Sequence, residues 1–211
     1  MPSPEQILTG LQAISNDWRG LATIWHVFAG TMLLGIVFGL RLSRRVMASA
    51  LTLPFISVSV LAWLQPNPFN GGIFALAAVV LLVIAARLPR GVIGVASGPP
   101  LFAGVLMIAF AWIYPHFLDD ATLLDYLVSA PLGLVPCPTI SMVIGISLLL
   151  GGFGSRSWCW TLAILGLFYG VFGAVRLGVA LGWLLLVGAL ALGATGYFRC
   201  RPDRAGVTGE A

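Results

Sequence analysis

The chain has 211 residues, of which 59% are hydrophobic and only 9% are charged. Soluble domains carry about a quarter charged residues, so this composition excludes a soluble domain and predicts an all-α integral membrane protein. The net charge of +4 comes from eleven arginines and no lysine. We expect these arginines to set membrane orientation, because they lie in short loops rather than in a patch that would bind nucleic acid.

The first segment, 1–20, is predicted to be an amphipathic helix at the membrane interface. Ile7, Leu11 and Ile14 recur at helical spacing, with polar residues on the other faces. Trp18 follows at the level expected for lipid headgroups.

Apolar stretches of bilayer-crossing length recur from residue 21 to 198 and predict a bundle of about seven transmembrane helices. The predicted spans cover about 21–40, 46–64, 73–86, 101–114 and 138–150, and the run 158–198 divides into two spans at 176–178. The stretch 65–72, QPNPFNGG, is predicted to be a turn because prolines and glycines oppose a continuing helix. The last segment, 199–211, is a polar tail.

Arginine positions predict the orientation of these seven spans. With the N-terminus outside, nine arginines fall on one side: Arg41, Arg44, Arg45, Arg87, Arg90, Arg156, Arg199, Arg201 and Arg204. Only Arg19 and Arg176 fall on the other. Because arginine-rich loops stay in the cytoplasm, we predict a bacterial inner-membrane protein with a cytoplasmic C-terminus and a structured extracytoplasmic loop before the fifth span.

Cys137 is the strongest candidate for a functional residue. Pro136 and Pro138 flank it, and a proline suits the first turn of a helix, where its missing N–H costs nothing. A thiol at the positive end of a helix is expected to have a lowered pKa and a raised metal affinity, and Thr139 adds a hydroxyl at the same end. The alternative interpretation is a small buried residue in a tight helix-entry turn.

Three further side chains share the outer face predicted for Cys137: His116, Asp119 and Asp120. Imidazole, carboxylate and thiolate together are metal ligands, although their spacing matches no familiar motif, and solvated acids in a wet loop are the alternative. His26 and His116 are the only two histidines, so bis-imidazole haem ligation is also considered. Against haem, a histidine near a helix end commonly bonds a neighbouring carbonyl. The sequence identifies no cofactor.

Arg176 is the one charge within 158–198. In lipid its guanidinium is expected to extend to the outer headgroups or to pair with an acid of the outer loop. The candidate acids are Asp119, Asp120 and Asp125.

Several motifs together resemble a bacterial multi-pass membrane family catalogued as domain of unknown function family 6064. They are Tyr114–Pro115, then GLVPCPTI at 133–140, SNDWRG before the first span, Asn67–Pro68 after the second, and an aromatic followed by glycine at 169–173. The chain departs from the pattern at Leu64 and Gln65, where an aromatic–histidine pair is expected, and at Arg176, where an acid is expected. The resemblance implies no established activity, and it implies the same architecture and an important role for 136–139.

These observations predict a non-enzymatic membrane protein that binds or passes a small solute or metal ion at an extracytoplasmic site around Cys137. The alternative is a structural or accessory subunit of a larger membrane complex, because glycines spaced four apart favour close helix packing. A membrane thiol oxidoreductase is a third hypothesis. It lacks a resolving cysteine at the depth of Cys137, since Cys159 and Cys200 fall toward the other side.

Overall fold

The computed structural model describes residues 3–39, 43–119 and 121–200, and over these ranges the chain is all-α, as predicted. The described helices are α1 (Pro4–Asp17), α2 (Arg19–Val37), α3 (Arg44–Leu64), α4 (Pro68–Arg87), α5 (Pro99–Ile113), α6 (Leu123–Ser129), α7 (Pro136–Leu149), α8 (Arg156–Val171) and α9 (Gly182–Phe198). A π-helical turn, Phe172–Arg176, extends α8. One isolated antiparallel bridge joins Ser43 to Val92.

Four helices in the described ranges are long and apolar enough to cross a membrane. They are α2, α3, α4 and the continuous stretch Arg156–Arg176. This confirms the membrane class at the level of those four helices. The helices α5, α7 and α9 are apolar but have 15, 14 and 17 residues, at or below the usual length of a crossing. The count of seven spans therefore stays a prediction.

The turn predicted at 65–72 is wrong in its second half, because α4 begins at Pro68. The Asn67 side chain caps the helix by accepting a hydrogen bond from the Asn70 backbone N–H at 3.2 Å. Pro68 stands at the first helical position, where no N–H is required. The glycines continue the helix, and Gly71 packs against the Trp63 indole. As a result Asn70 belongs to α4 and is buried.

The central element is α7, which begins at Pro136, two residues before the predicted start. Every residue of α7 except Cys137 is buried. A helix that is apolar all round belongs in the interior, and α7 packs against α3, α5, α8 and α9. Its environment could not be deduced from hydropathy, because lipid-facing and core-facing helices are equally apolar.

Glycines let α7 approach its neighbours closely. A Cβ on Gly104 of α5 would lie 2.8 Å from the Gly145 carbonyl oxygen, and a Cβ on Gly145 would lie 2.9 Å from that of Gly104. The two backbones therefore touch at this crossing. Gly166 and Gly170 of α8 also face neighbouring helices, where an added Cβ would lie 2.8 Å from the Ile144 and Leu186 side chains respectively.

The helices run alternately up and down, so their ends gather at two ends of the bundle. At one, here named the cavity end, α1 lies against the starts of α2 and α7. The other, here named the arginine end, is defined by Arg44, Arg45, Arg156 and Arg199. There the Arg45 side chain donates to the Leu88 carbonyl. Arg199 donates to the Ser97 carbonyl at 3.1 Å.

Candidate functional site

A cavity of about 30 Å³ lies beneath α1 at the cavity end, and we name it the Cys137 cavity. This volume exceeds the roughly 10–15 Å³ that one ordered water requires, so it leaves room for a small molecule. Its apolar lining includes Ile7, Leu11, Val135, Phe172, Leu177 and Val179. No charged side chain lines it among the described residues. The lining therefore supplies no cationic side chain to activate the Cys137 thiol.

Four uncharged polar side chains line this cavity: Asn70 of α4, Tyr114 directly after α5, Cys137 of α7 and Tyr169 of α8. The Tyr169 hydroxyl donates to Oδ1 of Asn70 at 2.8 Å. The Tyr114 hydroxyl lies close enough to the Cys137 thiol to interact with it. No residue in the described ranges accepts a hydrogen bond from Nδ2 of Asn70, so this amide nitrogen is left to donate to an occupant.

The first helix, α1, covers the cavity and is latched to the loop after α5. Nδ2 of Asn16 donates to the Phe117 carbonyl at 3.0 Å, and Oδ1 of Asn16 accepts from the Asp119 backbone N–H at 3.1 Å. Arg19 donates to the Asp119 carbonyl at 2.9 Å. Phe117 also lines the cavity and has a φ of 78°, an unfavourable conformation for an aromatic residue. Strain of this kind is often found at functional sites.

The 133–139 stretch forms a rigid entry into α7. Gly133 has a φ of 71°, and a Cβ there would overlap the Trp25 indole. The Thr139 hydroxyl accepts from the Gly133 N–H at 2.9 Å and donates to the Val135 carbonyl at 2.7 Å. Thr139 is thus fully used in shaping the turn. Pro136 lines the cavity and Pro138 is buried in the first helical turn.

The predicted metal ligands are not brought together in the described part of the chain. No group of three or more His, Cys, Asp and Glu side chains is arranged to hold a metal there, and Asp120 lies outside the described residues. The Asp119 carboxylate accepts a hydrogen bond from Gln12 of α1. The His116 ring packs at a tilt against its neighbour Phe117, and partial burial lowers the pKa of its imidazole. The Asp119 carboxylate thus ties the loop to α1, whereas His116 packs within the loop itself.

His26 does not offer a nitrogen for haem. Its Nδ1 lies 2.9 Å from the Ala22 carbonyl oxygen, and its Nε2 lies 3.0 Å from that of Trp112. The ring is buried and edge-on to the Trp112 indole. Both nitrogens are thus engaged with backbone between α2 and α5, which corresponds to the alternative interpretation considered for His26.

Arg176 interacts with an acid that the sequence did not point to. It lies in electrostatic range of Glu5 on α1. Hydrogen bonds with backbone and with Ser3 hold the pKa of Glu5 below its ordinary value, and Arg176 adds to this effect. Asp125 serves as a cap for α6, and its pKa is lowered by hydrogen bonds from Thr122. Neither Asp119 nor Asp125 forms an ion pair with Arg176 in the described structure.

Asn70 is the site residue that the sequence missed. Asn70 falls in the stretch predicted to be a turn, so it was not expected to face the bundle. Asn followed by Pro at 67–68 is also a typical helix start, and this interpretation would have placed Asn70 in the first helical turn. The sequence marks Tyr114 and Tyr169 only as parts of motifs. Their meeting with Cys137 depends on contacts between residues far apart in the chain.

A scan of protein-family models, a search of curated proteins and a search of solved structures each returned no match to this chain. The resemblance carried by the PCPT motif therefore stays a prediction, and the site must be interpreted from its own chemistry.

Proposed function

We propose that this chain is a non-enzymatic, seven-span protein of the bacterial inner membrane that binds a small uncharged solute in the Cys137 cavity. The observation that carries the proposal is the lining itself, in which uncharged hydrogen-bonding groups are set in an apolar wall beneath a latched helix. Small-molecule sites commonly combine an apolar lining with a few placed polar groups.

The absence of charge in the described lining favours a neutral solute over an ion. An ion entering this cavity would lose its hydration shell and meet no opposite charge. Burying an unpaired charge in this way costs on the order of several kcal/mol. A neutral molecule with a carbonyl oxygen gains a partner instead, because Nδ2 of Asn70 is available to donate to it.

Binding is better supported than passage. Below Cys137, the helix α7 is buried along its whole length. Its Ser141 hydroxyl donates to the Met107 carbonyl at 3.0 Å. Its Ser147 hydroxyl accepts from the Trp158 indole N–H at 2.9 Å. Both hydroxyl groups thus form hydrogen bonds within the bundle. They do not form a row of unpaired polar groups along α7 that would lead a solute through it.

Arginine placement supports an extracytoplasmic cavity end. Eight arginines lie in the described ranges, and only Arg19 and Arg176 are at the cavity end. The other six, Arg44, Arg45, Arg87, Arg90, Arg156 and Arg199, lie toward the arginine end. In a protein that crosses the membrane, this asymmetry favours a cytoplasmic arginine end.

The test is chemical modification of Cys137 in detergent-purified protein carrying Cys159→Ser and Cys200→Ser. Neutral methyl methanethiosulfonate should modify Cys137 at least about tenfold faster than the anionic sulfonatoethyl or the cationic trimethylammonioethyl reagent, after correction for their rates with a free thiol. Acetamide should slow the neutral reagent, whereas acetate, which has nearly the same shape but carries a charge, should not.

Two variants separate the site from general effects. Asn70→Leu removes the free donor at similar volume and should abolish protection by acetamide. Thr31→Ala, on the exposed face of α2, should retain it. Equal modification by neutral and charged reagents would contradict a neutral cavity. Loss of any acetamide effect, with fixed partner chains co-purifying, would favour the accessory-subunit alternative.

A further inference from the structure

Two cysteines meet at the arginine end, remote from the Cys137 cavity. Cys159 lies in the first turn of α8, and Cys200 lies two residues beyond the end of α9. Their sulfurs are 3.8 Å apart, which is van der Waals contact. Both residues are buried, with Cys159 at 0% exposure and Cys200 at 6%.

The backbone around this pair is shaped to the sulfurs. Gly152 has a φ of 63°, and a Cβ on it would overlap the Cys159 sulfur and lie 3.3 Å from that of Cys200. A Cβ on Gly196 would lie 2.7 Å from Cβ of Cys159. Only glycine fits at either position without displacing the thiols, so the loop and α9 both approach the pair at backbone distance.

Carbonyl groups of the same loop hold the two thiols in place. The Cys159 thiol donates to the Gly152 carbonyl at 3.7 Å, and the Cys200 thiol donates to the Gly151 carbonyl at 3.8 Å. The described residues provide no third metal-binding side chain for a cluster here. Within the described residues the arrangement is that of two adjacent thiols.

We propose that Cys159 and Cys200 form a redox-active dithiol that closes to an intramolecular disulfide when the protein meets a small oxidant such as hydrogen peroxide. A disulfide needs a sulfur separation of about 2.05 Å, so the two atoms must approach by about 1.7 Å. Cys200 is no longer within α9, so side-chain rotation with a small shift of this terminal residue supplies the movement.

The chemistry balances with peroxide as the oxidant. The more exposed Cys200 attacks as its thiolate, the peroxide O–O bond breaks, and a sulfenic acid forms with release of one water. The Cys159 sulfur then attacks the Cys200 sulfur, the S–S bond forms, the S–O bond breaks, and a second water leaves. Two thiols are oxidised and one peroxide is reduced to two waters. Reduction proceeds by exchange with a small thiol.

The disulfide would close a loop between residues 41 apart in sequence and tie the start of α8 to the chain beyond α9. A cross-link of this kind restricts the unfolded chain and limits separation of the two helices. If the arginine end is cytoplasmic, as proposed above, the compartment keeps the pair reduced until oxidant arrives. The dithiol itself does not depend on the solute proposed for the Cys137 cavity.

The test uses the full chain in detergent, treated with hydrogen peroxide, denatured and alkylated with N-ethylmaleimide. The untreated chain should take up three maleimides, one for each cysteine, and the oxidised chain one, at Cys137. Its intact mass before alkylation should fall by two hydrogens. Cys137→Ser should lose two alkylation sites in the same way, whereas Cys159→Ser and Cys200→Ser should show no intramolecular bond. The oxidised wild type should also unfold at a higher temperature than the reduced form.

Three results would overturn the proposal. The wild-type chain could keep three reactive thiols after a peroxide dose that converts an equimolar mixture of small thiols. The bond could join two chains, which non-reducing electrophoresis would show as a dimer. The bond could instead include Cys137, which peptide mapping would show. The Cys137→Ser variant keeps the test independent of the cavity, so this proposal and the proposed function fail or succeed separately.

Discussion

The cavity end and the arginine end of the bundle are closed by different chemistry. At the cavity end, α1 is held by bonds such as that from Asn16 to the Phe117 carbonyl, and a cavity remains beneath it. At the arginine end, guanidinium groups bind loop carbonyls and a run of left-handed residues at 151–154 brings backbone against the two sulfurs.

The two ends therefore differ in what holds them: at the cavity end a few hydrogen bonds tie α1 to a loop, whereas at the arginine end loop backbone packs directly on the two sulfurs. The α1 latch consists of a few hydrogen bonds at the rim of the bundle, each worth about 0.5–1.5 kcal/mol net. Local openings of this size occur readily in folded proteins and commonly serve ligand binding. At the arginine end the carbonyls of the loop 151–154 contact the thiols directly, so the movement expected there is limited to the small shift of Cys200 that closes the disulfide.

The largest effect is expected at the arginine end, from Gly152→Ala. An alanine at this position must keep a left-handed backbone conformation, and its Cβ would overlap the Cys159 sulfur. We therefore expect a loss of about 3 kcal/mol in the free energy of unfolding. Gly151→Ala is the matched control, since its φ of 58° is similar but its Cβ would meet nothing closer than 4.0 Å. We expect about 1–2 kcal/mol for this control. Equal losses in denaturation experiments would show that contact with sulfur is unimportant.

A smaller effect is expected at the cavity end, from Asn16→Ala. This change removes the bonds to the Phe117 carbonyl and the Asp119 N–H, about 2 kcal/mol in total. Opening of α1 should become roughly tenfold to thirtyfold more frequent, and the rate of Cys137 modification should rise by the same factor. Thr31→Ala removes a local bond to the Val27 carbonyl and should leave the rate unchanged. An unchanged rate in Asn16→Ala would mean that α1 is not the cover.

Next in size is Tyr169→Phe, which tests the polar group in the cavity wall. The change leaves Oδ1 of Asn70 without its donor and should cost about 1 kcal/mol in thermal or denaturant unfolding. Tyr197→Phe is the control because its side chain is exposed and its ring remains beneath Arg156. We expect almost no change for Tyr197→Phe. Equal stability of the two variants would show that the hydrogen bond between Tyr169 and Asn70 contributes little to folding.

The smallest effect is expected from pH. Partial burial lowers the pKa of His116 from its ordinary value of 6.5, so the unfolded chain takes up a proton at a higher pH than the folded chain does. The stabilising contribution is therefore present above about pH 6.5 and is lost as the pH falls through the lower, folded pKa. His116→Gln should reduce the acid-induced fall in melting temperature. A steeper fall in that variant would show the opposite sign.

The sequence predicted where the helices lie along the chain better than it predicted which helices pack against one another. The membrane class and the helix over 4–17 followed from composition and spacing, and the PCPT motif located the entry into α7. The start of α4 was missed because proline, asparagine and glycine signal both a turn and a helix start, and the capping by Asn67 decides between them. Because the sequence predicts a turn at 65–72, it does not indicate Asn70 as a residue of the site.

The site and the dithiol depend on contacts that no local pattern records. Asn70 and Tyr169 are 99 residues apart, and Cys159 and Cys200 are 41 apart. In a membrane helix nearly every face is apolar, so periodicity does not tell which face meets another helix. The electrostatic influence of Arg176 on Glu5 could not be predicted for the same reason, since Glu5 lies at the far end of the chain.

The most direct test asks whether the two ends of the bundle face different compartments. Single reporter cysteines, Leu124→Cys on α6 and Val92→Cys beside α5, are placed at exposed positions in a chain whose three native cysteines are serine. In intact cells, an impermeant maleimide should label Leu124→Cys and leave Val92→Cys unlabelled until the membrane is opened. That result would place the cavity end outside and show that α5 crosses the membrane. Labelling of both reporters from the same side would contradict the seven-span arrangement, and labelling of Val92→Cys alone would reverse the proposed orientation.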